Sequence, residues 1–172
     1  MADDTASFLG GLSDDDVTAL RASARTVRYV PGEMILREGD PSSAVVVVLA
    51  GTVKTTKLAS NGREVVLELR RAGDVIGELG VIDGNARSAS VVALDDVEAL
   101  IVPADGFNAL LQERASLAHR LLVTVVGRLR QASSRQLELG TIDVVGRVCN
   151  RLVELAVTHG EPIESGILVR SA

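Results

Sequence analysis

The middle of the chain, residues 25–102, is a series of short β-prone runs separated by turn residues, and this pattern limits the possible fold most strongly. Asn61-Gly62 between two of the runs is typical of a tight β-hairpin. Strands repeated at this spacing predict a β-sandwich or a jelly-roll barrel. The β-prone runs are Thr26–Val30, Met34–Arg37, Ala44–Leu49, Thr52–Leu58, Arg63–Leu69, Ser88–Leu94 and Val97–Val102.

Helical patterns border this stretch on both sides. Residues 7–23 predict a short helix capped by Ser13, and residues 104–112 predict another. A longer helix is expected to begin at Ser116, as its cap, and to end near Leu139. The resulting α+β organisation comprises a barrel with its N-terminal helix, a long helix and a C-terminal part, at residues 1–115, 116–139 and 140–172.

The long helix carries an apolar stripe whose members alternate at spacings of four and three. They are Ala118, Leu122, Val125, Leu129, Ala132, Gln136 and Leu139. This spacing is typical of a coiled-coil seam, and a single core helix is the alternative. A second stripe, formed by Leu117, Leu121 and Val126, can face the barrel. The small barrel can cover only one of these two stripes. The other stripe favours a parallel homodimer, with an interface at Leu122, Val125, Leu129, Ala132 and Gln136.

The C-terminal part begins with a hinge signal. Gly140 is expected to end the long helix, and either Thr141 or Asp143 is expected to cap an amphipathic helix that follows. Residues 159–166 are predicted as a loop, and residues 167–170 as a strand without a partner. We expect Cys149 to be buried among the apolar residues of the second helix.

Composition narrows the function classes. A net charge of −5 argues against a general nucleic-acid-binding surface, and one cysteine excludes a disulfide framework or an iron–sulfur cluster. No stretch approaches the ~20 apolar residues of a membrane span, and the acidic N-terminus is unlike a signal peptide. We therefore expect a cytoplasmic protein without membrane contact. A Ser/His/Asp constellation, a Walker phosphate loop and a metal-spaced cluster are all missing, so we expect no enzyme, metal or cofactor.

The segment Gly77–Ser90 groups the parts needed to hold a small phosphate beside a ribose. Arg87 presents a planar fork of donors that matches phosphate oxygens, and Ser88 adds a hydroxyl. Backbone N–H groups after Gly77 can form an anion-binding hollow. Glu78 would be repelled by a phosphate, but it can accept a hydrogen bond from a sugar hydroxyl. A surface turn with an Arg–Glu ion pair is the alternative.

The pattern G-E-L-G-(x)6-A-R-S-A-S resembles the phosphate-binding cassette of cyclic nucleotide-binding domains. The flanking chain, about residues 7–170, resembles the CRP/FNR family of bacterial transcription regulators. The resemblance implies a jelly-roll barrel, a dimerisation helix behind the nucleotide pocket, and the start of a winged helix-turn-helix DNA-binding domain. It also implies that a cyclic nucleotide, cAMP rather than cGMP, contacts Gly77, Glu78, Leu79, Arg87, Ser88, Ala89, Arg128 and Ser133.

Two of these residues lie on the long helix. Arg128 matches a family arginine that pairs with the cassette glutamate. Ser133 matches the second residue of a Thr-Ser pair that contacts the purine in the family, whereas Ala132 departs from the family at the first position.

The resemblance implies the effector-sensing and dimerisation part of a transcription regulator, which passes its signal to a DNA-binding domain absent from this chain. Two alternatives remain open. One is a free-standing cyclic nucleotide-binding module that acts through protein partners, and the other is a ligand-independent member of the family.

Overall fold

The structure is a computed structural model that describes residues 7–141, 143–163 and 166–168. The chain divides into two compact units, the first ending at Leu122 and the second beginning at Val123. The helices are α1 (Asp14–Ala22), α2 (Glu78–Asp83), α3 (Ala104–Glu113), α4 (Ala115–Thr141) and α5 (Val144–His159). The strands are β1 (Arg25–Tyr29), β2 (Met34–Leu36), β3 (Ala44–Ala50), β4 (Thr52–Leu58), β5 (Glu64–Arg71), β6 (Val75–Ile76), β7 (Ser90–Ala93), β8 (Val97–Pro103), β9 (Glu161–Ile163) and β10 (Gly166–Leu168).

Two four-stranded antiparallel sheets form the first unit, with strand orders β1-β8-β3-β6 and β2-β7-β4-β5. This arrangement confirms the jelly-roll prediction, and each β-prone run of the sequence overlaps one strand. The hairpin predicted at Asn61-Gly62 joins β4 to β5, and Gly62 adopts the positive φ of 79° that such a turn requires. The sequence does not predict β6, because two residues after a turn show no periodicity.

Strand β3 contains four consecutive valines, Val45–Val48, and shows none of the alternation of apolar and polar residues that is typical of a strand with one face in solvent. Val45 and Val47 pack in the same core cluster as Phe107 and Leu117 from the helices. Val46 and Val48 pack in a second cluster with side chains from the facing sheet. The sheet containing β3 is therefore covered on both faces, so that neither face of the strand is left for polar residues.

The N-terminal helix is joined to the start of α4 by a buried carboxylate. Ser13 caps α1 as predicted, since its hydroxyl accepts a hydrogen bond from the Asp16 amide (3.2 Å). Oδ1 of Asp16 accepts from Arg114 (3.2 Å) and Oδ2 accepts from the Ser116 hydroxyl (2.6 Å). The prediction that Ser116 caps the long helix is therefore wrong. α4 begins at Ala115, and the Ser116 side chain is used for a tertiary contact with Asp16.

The predicted end of the long helix at Gly140 is also wrong, because α4 continues to Thr141. A glycine inside a helix costs only about 1 kcal/mol relative to alanine, so that it does not have to end the helix. The cap predicted at Asp143 is confirmed, since its Oδ1 accepts from the Gly146 amide (2.8 Å).

Two further predictions about the second unit are wrong. Residues 161–163 form β9 instead of a loop, and they pair with β10, so that the strand predicted at 167–170 has a partner. Pro162 makes this segment read as a loop, yet proline is compatible with a strand at a sheet edge. Cys149 is exposed instead of buried, because its neighbours on α5, such as Val148 and Leu152, are themselves uncovered in the described part of the chain.

Within the residues that the structure describes, no helix combines the length and the apolar character needed to cross a membrane.

Candidate functional site

The cassette segment folds as a short helix between two glycines. Gly77 precedes α2 with φ 78° and ψ 8°, and Gly84 follows it with φ 73° and ψ 8°. These left-handed conformations let the chain turn sharply out of β6 and again after Asp83. Glu78 is the first residue of the helix and is only 2% exposed, so its carboxylate is directed into the first unit and not into solvent.

Arg87 is the other buried charge of the segment, at 6% exposure. Its Nη1 donates a hydrogen bond to the Gly77 carbonyl oxygen (2.7 Å), and its Nη2 donates to the Ala44 carbonyl oxygen. Burial lowers the pKa of Arg87, while the carboxylates of Glu78 and Asp40 act in the opposite direction. A guanidinium held among these groups keeps its charge and lies at a fixed position.

The backbone of Arg87 is fixed as well. Its amide donates to the Asp40 carbonyl (2.9 Å), and its carbonyl accepts from the Gly39 amide (2.9 Å). The turn between β2 and β3 thus binds the end of the cassette on both sides of the arginine Cα. Main chain and side chain together leave Arg87 little freedom to reorient, which is the preorganisation that an anion site requires.

Two glycines allow the close approach of the cassette to its neighbours. A Cβ on Gly77 would lie 2.5 Å from Arg87 Nη1 and 2.9 Å from Leu36 Cδ1. A Cβ on Gly80 would lie 2.0 Å from Ser42 Oγ and 2.7 Å from the Asn85 carbonyl oxygen. Neither position can carry a side chain without displacing what it touches.

The predicted site residues of the first unit lie together on this segment. Glu78 and Arg87 are its buried members, Gly77 and Ala89 are half-buried, and Leu79 and Ser88 are exposed. The exposed Ser88 next to the buried Arg87 leaves its hydroxyl accessible to a ligand.

Arg128 and Ser133 belong to the second unit, and their roles toward a ligand stay predictions. The Ser133 hydroxyl donates to the Leu129 carbonyl oxygen (2.9 Å) within its own helix. This is the usual behaviour of a helical serine.

The structure adds four residues to the site that the sequence pattern misses, namely Gly39, Asp40, Ser42 and Ala44. All four lie at or near the turn between β2 and β3, more than 30 positions before the cassette. Gly39-Asp40-Pro41 reads only as a turn, and the Ala44 carbonyl oxygen has no side-chain signature. Only the tertiary arrangement of β3 beside the cassette reveals them.

Taken together, these groups have the chemistry to hold a small anion with a hydroxyl-bearing neighbour. A buried guanidinium, exposed serine hydroxyl and cassette amides can hold phosphate oxygens, and a buried carboxylate can accept from a sugar hydroxyl. The opposite charges of Arg87 and Glu78 also reduce the cost of burying either one alone.

Comparison with known proteins gives a consistent result. The cyclic nucleotide-binding domain family matches residues 26–114. A CRP-like cAMP-activated global transcriptional regulator of Mycobacterium tuberculosis is 28% identical over 155 residues, which cover 90% of this chain and 69% of that protein. A cyclic AMP receptor protein of Thermus thermophilus is 30% identical over 145 residues, which cover 84% of this chain and 67% of that protein.

A solved structure agrees with these relatives. The Thermus thermophilus catabolite activator protein superposes with a TM-score of 0.69 at 29% identity, over 77% of this chain and 62% of that one. The chain thus spans about two thirds of the length of the regulators it matches. These relatives are transcription regulators and not enzymes. On the cassette geometry and these matches, the chain belongs to the cyclic nucleotide-binding domain family and, within it, to the CRP/FNR group of transcription regulators.

Proposed function

We propose that this chain is the effector-sensing and dimerisation part of a cytoplasmic CRP/FNR-type regulator, with cAMP as its effector. The observation that carries the proposal is the buried Arg87, held by the carbonyl oxygens of Gly77 and Ala44 beside the buried Glu78. A surface ion pair, the alternative interpretation of the sequence, would leave both charges in water. Here both charges are withdrawn from solvent. Their desolvation costs free energy, and a binding function explains why such a pair is retained.

The proposed binding mode assigns one ligand group to each side chain. Arg87 uses N–H groups beyond the two that donate to Gly77 and Ala44, and it binds the cyclic phosphate together with the Ser88 hydroxyl and the cassette amides. Glu78 accepts from the ribose hydroxyl. The choice of cAMP rests on the names of the matched regulators, which are described as cAMP-activated and as a cyclic AMP receptor protein.

The proposal of a homodimer is supported by the exposure of the predicted seam on α4. Leu122 and Leu129 are 60% and 65% exposed, and Ala132 and Gln136 are exposed as well, whereas Val125 is half-buried. Most of the second predicted stripe behaves differently, since Leu117 and Leu121 are buried in the core of the first unit. Its third member, Val126, is 37% exposed, so the prediction that this residue faces the barrel is wrong. A helix that retains a separate, uncovered apolar stripe is suited to pairing with a second copy of itself.

The proposed mechanism is a shift between two populated arrangements. A ligand that binds one arrangement of the chain more tightly than the other would shift the population toward that arrangement. The segment between α4 and α5 would then reorient a DNA-binding domain. The DNA contact is part of the proposal for the whole protein, and the charge of −5 on this chain gives no reason to place it here.

The decisive experiment is calorimetric titration of the chain with cAMP and with cGMP, alongside an Arg87→Ala variant. We expect cAMP to bind more tightly than cGMP. Loss of the charge-assisted hydrogen bonds should weaken binding by roughly 10- to 100-fold.

The matched control is Arg28→Ala, which removes the same charge from an exposed ion pair with Glu98 and should leave binding unchanged. If Arg87→Ala binds as tightly as the unchanged chain, the cassette is not the phosphate site. If neither nucleotide binds to a folded dimer, as judged by light scattering, the ligand-independent alternative replaces the sensor. Binding of cAMP without any effect on DNA binding in the whole protein would favour the module that acts through protein partners.

A further inference from the structure

Ser42 lies in the turn between β2 and β3, and its side chain packs against the cassette helix α2. The contact is with Gly80, since a Cβ on that glycine would lie 2.9 Å from Ser42 Cβ and 2.0 Å from Ser42 Oγ. The same Cβ position is 2.7 Å from the Asn85 carbonyl oxygen. Ser42 Oγ and this carbonyl oxygen are therefore near neighbours beside Gly80, where the loop after α2 turns back toward the helix.

The Ser42 hydroxyl is buried and has no hydrogen-bond partner among the residues that the structure describes. A hydroxyl in this position has lost its contact with water without gaining a bond in exchange, which destabilises the chain. Packing does not require the oxygen, because an alanine would place the same Cβ beside Gly80. Buried polar atoms of native proteins are nearly always paired, so this oxygen is expected to be used in another arrangement of the site.

The position of the Asn85 carbonyl oxygen suggests what that arrangement is. The loop that carries it, residues 84–86, is exposed and joins the two parts of the cassette proposed to hold a phosphate, namely α2 and the pair Arg87 and Ser88. The main chain of Arg87 is already bonded to the β2–β3 turn, through Gly39 and Asp40. A phosphate that binds α2 amides and Arg87 together therefore draws α2 and its loop toward the turn that carries Ser42.

We propose that Ser42 is a positioning residue of the phosphate site, whose hydroxyl donates a hydrogen bond to the Asn85 carbonyl oxygen when a cyclic nucleotide is bound. The inference rests on the proposed cyclic nucleotide function, and it concerns the closing of the cassette instead of a contact with the ligand. Ser42 holds the loop in place behind the phosphate. The ligand then favours the closed arrangement because a buried group of the chain gains its partner there.

This arrangement predicts effects of opposite sign for Ser42→Ala. Without nucleotide the substitution removes an unpaired buried oxygen, so the midpoint of urea unfolding should rise by roughly 0.5 M. With nucleotide it removes a hydrogen bond, so cAMP should bind roughly 5- to 30-fold more weakly. A serine that only supports the fold would behave differently, since its replacement would lower the midpoint of unfolding.

Ser43→Ala is the matched control, because Ser43 is the next residue of the same turn and is exposed. It should leave both the midpoint and the affinity unchanged. Urea unfolding without nucleotide and calorimetric titration with cAMP measure the two quantities. A structure of the chain with cAMP bound tests the contact itself, in which Ser42 Oγ should lie about 2.5–3.0 Å from the Asn85 carbonyl oxygen.

The outcomes separate the two proposals. If the chain binds cAMP in an Arg87-dependent way and Ser42→Ala binds it equally tightly, the inference about Ser42 is wrong and the sensor proposal stands. A lower midpoint of unfolding for Ser42→Ala without nucleotide would also overturn the inference, because the hydroxyl would then already have a partner. If the unchanged chain does not bind cAMP, both proposals are wrong.

Discussion

Gly77 meets a conformational and a steric requirement at the same time. Its φ of 78° lies in the left-handed region, which costs other residues about 1–2 kcal/mol. A side chain at this position would also enter the space occupied by the Arg87 guanidinium, 2.5 Å from the position of its Cβ. The glycine is therefore part of the arginine's binding site, since its missing side chain makes room for the guanidinium and its carbonyl oxygen accepts from it.

Gly77→Ala should accordingly lower the free energy of unfolding by about 2–4 kcal/mol and weaken cAMP binding, because backbone strain adds to displacement of Arg87. Gly62→Ala is the matched control. Gly62 has a nearly identical φ of 79°, but no atom lies within 4 Å of the position of its Cβ. This control should show the strain alone, about 1–2 kcal/mol, and leave binding intact. Urea unfolding and calorimetry give both quantities, and equal effects of the two variants on binding would contradict the steric role of Gly77.

The sequence predicts that Glu78 and Arg87 belong to one site, because their spacing resembles that of the phosphate-binding cassette and because a carboxylate and a guanidinium suit a sugar hydroxyl and a phosphate. The sequence cannot predict that Arg87 also donates to the Ala44 carbonyl oxygen, since a main-chain acceptor 43 residues away has no signature.

At the scale of whole elements, Asp16 is the contact that joins α1 to the start of α4. Its two carboxylate oxygens accept hydrogen bonds from Arg114 and Ser116, and Asp16 is almost fully buried. The hydrogen bond from Ser116 is the main cause that holds the pKa of Asp16 below its ordinary value, with further lowering by Ser13 and Arg114. Burial acts in the opposite direction without reversing the shift. The ionised form of Asp16 is therefore the form that stabilises this packing.

Asp16→Asn should lower the free energy of unfolding by about 1–3 kcal/mol at neutral pH. Because the pKa of Asp16 is lowered on folding, its stabilisation is complete above the ordinary value of 3.8 and is lost as the pH falls through the folded-state value. The difference between variant and unchanged chain should thus shrink at acidic pH. Urea unfolding at a series of pH values measures it. Asp15→Asn changes an exposed carboxylate in the same helical turn, so a pH-dependent loss of equal size there would contradict the assignment to Asp16.

Local sequence patterns predict the presence of a helix or strand better than the residues at which it begins and ends. The hairpin at Asn61-Gly62 and the caps at Ser13 and Asp143 follow from backbone chemistry within a few residues, and the structure confirms them. The start of α4 is different, because Ser116 can serve either as a cap or as a partner of Asp16, 100 residues earlier. Which of the two applies depends on how α1 packs, and no local pattern contains that information.

At the scale of the whole molecule, the question is what covers the apolar stripe of α4. Leu122 and Leu129 are more than half exposed, whereas Leu117 and Leu121 of the other stripe are already buried. If a second copy covers them, dimerisation and ligand binding are coupled whenever the ligand binds the dimer and the monomer with different affinities. Such coupling is reciprocal. A ligand that binds the dimer more tightly than the monomer must stabilise the dimer by the same factor.

Leu129→Asp tests this arrangement, since it places a charge at the centre of the proposed seam. Loss of one central apolar contact is worth about 2 kcal/mol or more, so the dissociation constant of the dimer should rise by roughly 30-fold or more. Gln131→Asp introduces the same side chain at an exposed position of α4 outside the seam and should leave the dimer intact. Sedimentation over a range of concentrations, with and without cAMP, measures both the loss and its coupling to the ligand. Nucleotide should restore part of the Leu129→Asp dimer, whereas an unchanged chain that is monomeric at all concentrations would mean that the stripe serves another partner.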